Sequence, residues 1–270
     1  MNKPLLSIIV PLKNISKWED NIQNNINKFS KYIEHEYEFI FIYSFPEDKS
    51  VSKLKKKVSN NKLVKFFSDN GSGIYSAMNI GIRKASGIYM IFFGADDIFV
   101  ENSLKSIKNL LKNNLNIDIF LFEVLVRNER NNTLTSKSVE GGKIGRIHWL
   151  LGQPRIHQGI IYKRSFVIKR SISFSTKIAV TADYLFTSLA YSFNPSVNEI
   201  NIPIAIYNLS GFSSKSTLIN NYFEHIVGYF QNKRLRKYLP LIILSRIVMA
   251  TFKLFMYFYF ITKKIFSITT

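Results

Sequence analysis

At 270 residues, with 46% hydrophobic and 14% aromatic content, the chain is large enough for one α/β domain, or a domain with an appendage. It has no cysteine, which excludes disulfides and thiolate metal sites, and its histidines (His35, His148, His157 and His225) are too scattered for a zinc pair. The formal net charge of +19 calls for an acidic partner: nucleic acid, an anionic lipid surface or an acidic small molecule.

The opening Met-Asn-Lys-Pro leads straight into an apolar run, so no secretory signal is expected. That run, residues 5–12 with Pro11 near its end, reads as a buried parallel-type strand. Ser16 and Glu19 have the spacing of a capping box. Trp18, Ile22, Ile26, Phe29 and Ile33 then recur every three or four residues, the pattern of one helix face. Residues 37–45 form a second strand, 51–58 a lysine-rich helix and 63–67 a third strand. The order β-α-β-α-β favours a parallel sheet with crossover helices.

Ile74, Met78, Ile82 and Ala85 mark the next helix face, with Gly87 as its stop, and residues 88–93 a fourth strand. A helix over 101–111, a strand over 118–126 and a polar hairpin or loop over 128–142 follow. Residues 160–162 read as a short strand, 182–191 as a helix and 200–207 as a late edge strand. Past residue 218 the composition turns basic, aromatic and apolar. No acid follows Glu224, while Lys233, Arg234, Arg236, Lys237, Arg246, Lys253, Lys263 and Lys264 do. Arg246 and Lys253 argue against a membrane-spanning helix over 241–262, at about 2.5–3.5 kcal/mol for each charge near a bilayer centre.

Asp96 and Asp97 follow the fourth strand directly. Paired carboxylates at the mouth of a parallel sheet suit a divalent cation, Mn²⁺ or Mg²⁺, and a phosphorylated ligand. The competing reading is an acidic helix cap. The turn Pro11-Leu-Lys-Asn14 has no glycine, which excludes a G-x-G-x-x-G dinucleotide site and a P-loop.

Several segments carry a further signal. They are Leu6-Ser-Ile-Ile-Val-Pro-Leu-Lys-Asn14, Gly73-Ile-Tyr-Ser-Ala-Met-Asn-Ile-Gly81, Ala85-Ser-Gly-Ile-Tyr-Met-Ile-Phe-Phe-Gly-Ala-Asp-Asp97, His157-Gln158, Ala182-Asp-Tyr184 and Ile206-Tyr-Asn-Leu-Ser-Gly-Phe-Ser-Ser214. In this order they resemble the family 2 inverting glycosyltransferases of the GT-A fold, particularly bacterial enzymes of surface polysaccharide synthesis. The resemblance implies a mixed, mainly parallel α/β sheet flanked by helices over residues 1–217, with a helical appendage over 218–270. It puts Ala95-Asp96-Asp97 in place of the DxD motif, which binds metal and nucleotide diphosphate. Gly94 stands where the family carries an acid or amide, so one potential ligand is absent. The nucleotide base is expected near Pro11 and Lys13. The family's aspartates after the second strand and before Ile-Tyr are replaced, here by Tyr43-Ser44 and Gly71, which leaves Asp48 and Asp69 as the nearest substitutes; Asp69 reads equally as a turn residue.

Asp183 takes the position of the catalytic base, although an aspartate there also reads as the first-turn acid of a helix. His157 and Gln158 border the donor and acceptor pocket. Arg155 is a candidate for diphosphate, which guanidinium pairs with well, and Asn79 for the sugar or ribose. The implied reaction moves a sugar from a nucleotide-sugar, a UDP-sugar first, to a glycan or lipid-linked glycan. The tail, with Phe252, Phe255, Met256, Tyr259 and Phe260 at helical spacing, is expected to lie on an anionic membrane, on the cytoplasmic face, or else to pack on the domain or on another subunit. A non-catalytic relative that kept the fold is the alternative. Nucleic acid is a third reading and is not the expected partner; oligomeric state is left open.

Overall fold

A computed structural model describes residues 3–44, 49–128, 133–137, 146–151, 155–208 and 217–266. The first half is the expected alternation. β1 (Leu6–Leu12) is followed by α1 (Glu19–Tyr32), β2 (Tyr37–Tyr43), α2 (Lys49–Lys57), β3 (Val64–Ser68), α3 (Ile74–Lys84) and β4 (Tyr89–Phe92). β1 lies between β2 and β4, β3 pairs with β2, and all four run parallel. Alternate side chains of β1 go to opposite layers. Ile8 and Val10 join α1, α2 and the later α4 (Leu104–Asn113) on one face of the sheet. Ile9 joins α3 on the other, where the buried glycine Gly81 brings the helix close: a Cβ there would stand 2.2 Å from the Ile9 methyl.

The second half turns the sheet mixed. β5 (Ile98–Phe99), β6 (Ile119–Asn128), β7 (Thr133–Lys137), β8 (Ile160–Lys163) and β9 (Val197–Asn208) complete the order β3-β2-β1-β4-β8-β6-β9-β5, with β7 hairpinned onto β6. β8 runs antiparallel to β4 and β6, while β9 runs parallel to β6. β9 was expected at an edge. It is interior, because the two residues of β5 pair along its outer side, Ile98 opposite Ile206 and Phe99 opposite Ala205. A two-residue strand leaves too little pattern to be read from sequence. Two short helices also escaped the periodicity, α5 (Arg146–Leu151) and α6 (Arg164–Lys169). The capping box at Ser16 does not form. Residues Ile15–Lys17 make a 3₁₀ turn, and Glu19 instead pairs with Lys53 at 2.8 Å across to α2. Ile74, expected on the buried face of α3, is exposed.

α7 (Ala182–Tyr191) forms at the expected residues and is almost wholly buried. The basic tail folds as α8 (Leu218–Gln231) and α9 (Leu239–Phe266), and it packs on the domain. Tyr229, Leu235 and Ile242 belong to the same apolar layer as Ile9 and α7. Gly228 permits the approach: a Cβ there would lie 2.1 Å from a Leu185 methyl carbon. No described helix is long and apolar enough to cross a membrane.

The amino ends of the parallel strands are tied by one buried acid. Glu38 on β2 accepts from Ser7 Oγ at 2.6 Å, from Ser86 N at 2.6 Å and from Lys65 Nζ at 2.6 Å. Burial alone would raise its pKa; Lys65, Ser7 and Ser86 outweigh that and hold it below the ordinary 4.5. A depressed carboxylate stabilises the fold above its unfolded pKa, and that contribution is lost as pH falls through the folded value. Glu38→Gln should therefore lower stability at pH 7 by about 1–3 kcal/mol, and the gap to wild type should shrink below pH 4.5. Urea unfolding at pH 7 and pH 3 checks both.

Candidate active site

Parallel strands deliver their carboxyl ends to one edge, and in α/β sheets that edge is where ligands sit. Pro11 and Lys13 lie at the end of β1, Asp69 follows β3, and Gly94 to Asp97 follow β4. Because β8 runs antiparallel to β4, its start comes to the same edge and brings Arg155, His157 and Gln158. Topology thus gathers residues from four separate stretches of chain. A groove at the amino ends of these strands, around Glu38, contains none of them.

After β4 the backbone folds so that both carboxylates close over Gly94. A Cβ at 94 would stand 2.6 Å from Asp96 Oδ1 and 2.7 Å from Asp97 Oδ2. The Gly94 N–H donates to Asp97 Oδ2 at 2.9 Å. Asp97 is 1% exposed, and burial, then the neighbouring charge of Asp96, raise its pKa to about 7. Its Oδ1 closes no hydrogen bond of good geometry, although the Gln158 amide stands close enough to offset part of the burial. Burial also raises Asp96. The segment is fixed from behind by Asn25 of α1, which donates to Asp97 O at 2.9 Å and accepts from Phe99 N at 3.0 Å. Sequence reasoning passed over Asn25. Its signal was a lone amide inside the apolar stripe of Ile22, Ile26 and Phe29.

Asp69 holds the turn: its Oδ1 accepts from Gly71 N at 3.0 Å, while its Oδ2 is buried without a hydrogen-bond partner among the described residues. Pro11 is half-buried and Lys13 exposed; Asp48 falls outside the described residues. Asn79, expected toward the sugar, has both ends of its amide on the Phe174 backbone, donating at 2.9 Å and accepting at 2.9 Å. It clamps the chain ahead of α7 to α3.

Arg155 and His157 are buried at this edge with polar atoms left over. Arg155 lies 3.6 Å from Glu199 through Nη2, while its Nε and Nη1 have no hydrogen-bond partner among the described residues. His157 stacks on Phe92 at 5.3 Å, and neither ring nitrogen is hydrogen-bonded among the described residues. Burial lowers its pKa to about 4, so the ring is neutral at physiological pH. Buried polar groups are nearly always satisfied in native proteins. Here Asp69, Asp97, Arg155 and His157 all carry unsatisfied atoms at one sheet edge.

Asp183 is the second residue of α7, and one carboxylate oxygen accepts from Tyr184 N at 2.7 Å. Phe186, one turn further on, packs edge-on against Phe92 at 5.5 Å, two residues before Gly94. α7 therefore packs beside the end of β4. The loop ahead of Asp183 is held twice: Tyr75 of α3 donates to Val180 O, and Glu224 of α8 accepts from residues 179–181. Neither contact was legible from the sequence, where Glu224 stood out only as the last acid before a basic tail.

Comparison with known proteins agrees with this architecture. Over 118 residues the chain is 34% identical to a Haemophilus influenzae glycosyltransferase, covering 43% of this chain and 46% of that protein. A Rickettsia bellii glycosyltransferase is 30% identical over 111 residues, 40% of this chain and 15% of the other. The chain thus spans under half the length of each of these two relatives. A PGL/p-HBAD biosynthesis glycosyltransferase of Mycobacterium tuberculosis is 22% identical over 231 residues, covering 84% of this chain and 85% of that one. Among solved structures, S. aureus TarS 1-349 in complex with UDP-GlcNAc superposes with a TM-score of 0.68 at 17% identity, covering 89% of this chain and 72% of that chain. The complex of the same protein with UDP gives 0.65 at 17% identity, covering 88% and 70%. The GT-A architecture is common to them. Residues 7–174 match the family described as Glycosyl transferase family 2, and the chain belongs to that family.

Proposed function

We propose that this protein transfers a sugar from a nucleotide-sugar, a UDP-sugar, to a saccharide or lipid-linked saccharide acceptor with inversion, in bacterial surface polysaccharide synthesis. The observation that carries the reading is the set of unsatisfied buried groups at the carboxyl edge, two of acid and two of base character. They suit a ligand that brings both phosphate oxygens and a cation. The UDP and UDP-GlcNAc complexes of TarS, which shares the fold, support a uridine donor.

The residues present fit a hard divalent cation. Asp96 and Asp97 are adjacent carboxylates of raised proton affinity, and Asp97 Oδ1 lacks a hydrogen bond. Among the described residues no three acidic or imidazole groups converge. Mn²⁺ or Mg²⁺ held by the pair would therefore take further oxygens from the diphosphate. When bound, it offsets charge building on the departing diphosphate.

The chain's own groups supply the rest. Arg155 directs its unpaired N–H groups to phosphate, and neutral His157 offers one N–H donor. Asp183 accepts the acceptor hydroxyl's proton as that oxygen attacks C1 from the face opposite the diphosphate. The C1–O bond to the diphosphate breaks as the new bond forms, and its electron pair leaves with the nucleotide.

The tail supports attachment to an anionic membrane surface, on the cytoplasmic side. α9 turns Ile242 and Arg246 inward and leaves Leu244, Ile247, Val248 and Phe252 exposed. On α8, Phe223 and Phe230 are exposed, and Lys233 and Lys237 stand at the junction of the two helices. Apolar side chains bordered by cations suit a lipid interface. The side chains of Lys253, Phe255, Tyr259, Phe260, Lys263 and Lys264 lie outside the described residues.

Three outcomes are expected. Asp183→Asn should cut transfer by about 10²–10⁴-fold and leave Mn²⁺-dependent UDP binding, followed by calorimetry, intact. Gly94→Asp, which restores the family's acid, should weaken that binding by roughly tenfold or more, because Asp97 has no room to yield. Leu244→Glu with Ile247→Glu should reduce sedimentation with phosphatidylserine vesicles by roughly tenfold or more, with UDP affinity unchanged.

A further inference from the structure

Glu224 belongs to the tail by sequence and to the active site by contact. It sits on α8, yet its carboxylate receives the backbone of the loop that carries Asp183. Oε1 accepts from Ala179 N at 3.1 Å. Oε2 accepts from Val180 N at 3.1 Å, Thr181 N at 2.9 Å and Thr181 Oγ1 at 3.0 Å. These N–H groups lead into the first turn of α7, where an anion is favoured by the unpaired donors and the helix dipole. α7 receives no cap from its own N-cap side chain, Thr181. The residues that lead into it are held instead by Glu224, 43 positions further along the chain from Thr181. The same loop is held from the other side by Tyr75, near the start of α3 and next to the turn that Asp69 shapes.

We propose that Glu224 is the positioning residue for Asp183, so that the tail helix is part of the catalytic apparatus as well as the surface that faces the membrane. This rests on Asp183 being the base. Glu224 touches neither donor nor acceptor in this account; it fixes the pitch and entry of α7, and with them the place of the Asp183 carboxylate. Phe223, the preceding residue, faces outward and is 66% exposed, so one turn of α8 bears both the catalytic clamp and the outer apolar face. Gly228, one turn later, keeps α8 close enough to α7 for the clamp to reach.

The test compares Glu224→Ala, Glu224→Gln, Asp183→Asn and the Asp183→Asn/Glu224→Ala double variant in the full chain, with hydrolysis of the UDP-sugar that the wild type turns over best. Small displacements of a catalytic group reach about 10²-fold in rate. Glu224→Ala should accordingly lower kcat by roughly 10–100-fold and leave donor KM and the calorimetric Kd for UDP within about twofold. Glu224→Gln keeps one acceptor oxygen and should fall in between. In the double variant, loss of Glu224 should add little to the loss already caused by Asp183→Asn, since residues acting through one another are not additive. Should Glu224→Ala melt as an unfolded chain, the same readouts on Glu224→Gln decide. Wild-type kcat in a folded Glu224 variant, or full additivity in the double variant, overturns the inference while the base assignment stands. Normal turnover by Asp183→Asn overturns both.

Discussion

Burial of Asp97 beside Asp96 at the end of β4 is the constraint around which this edge of the sheet is organised. Burial disfavours ionisation of both carboxylates, and at Asp97 the neighbouring charge of Asp96 adds to it, so both proton affinities rise. The backbone keeps them there by specific means: the N–H of a glycine with no room for a side chain, and the amide of Asn25 reaching across from α1. A fold that sought only stability would place an apolar residue at the end of this strand. The strain of keeping two acids suits a site that gains by drawing in positive charge.

Much of the framework was legible because it follows local periodicity. The apolar runs of β1, β2 and β4 and the stripe of α1 are patterns of a few residues, and α7 was read at its actual bounds. Pairing was legible only where topology is nearly forced, in the right-handed parallel half. β9 was misplaced at an edge because its outer neighbour is two residues long and lies about a hundred positions earlier. Glu19 failed as a capping residue because Lys53 and Lys57 on another helix compete for its carboxylate.

The candidate site shows the same division. Asp96 and Asp97 announce themselves as a pair at a strand end, whereas Asp183 stands out only through family resemblance. Asn25 offered only its place in an apolar stripe, and Tyr75 and Glu224 offered nothing of their contacts, since each acts on backbone 72, 105 or 43–45 positions away. Arg246 illustrates how a charge can mislead. In sequence it interrupts an apolar helix. In the fold it turns inward, 3.0 Å from His225 Nδ1 and 5.1 Å from the centre of the Tyr222 ring, and leaves the outer face of α9 apolar.

The shared layer of Ile9, Leu185 and Tyr229 bears on the order in which the molecule matures. Domains generally fold from the amino terminus as the polypeptide emerges from the ribosome. β1 to β4 need only the earliest part of the chain, so the strand ends can assemble while synthesis continues. The segment before α7 must wait for α8 to emerge before its amides find their anion. Nascent chains would pass through a stage in which the strand ends are assembled and the opposing helix is still unanchored.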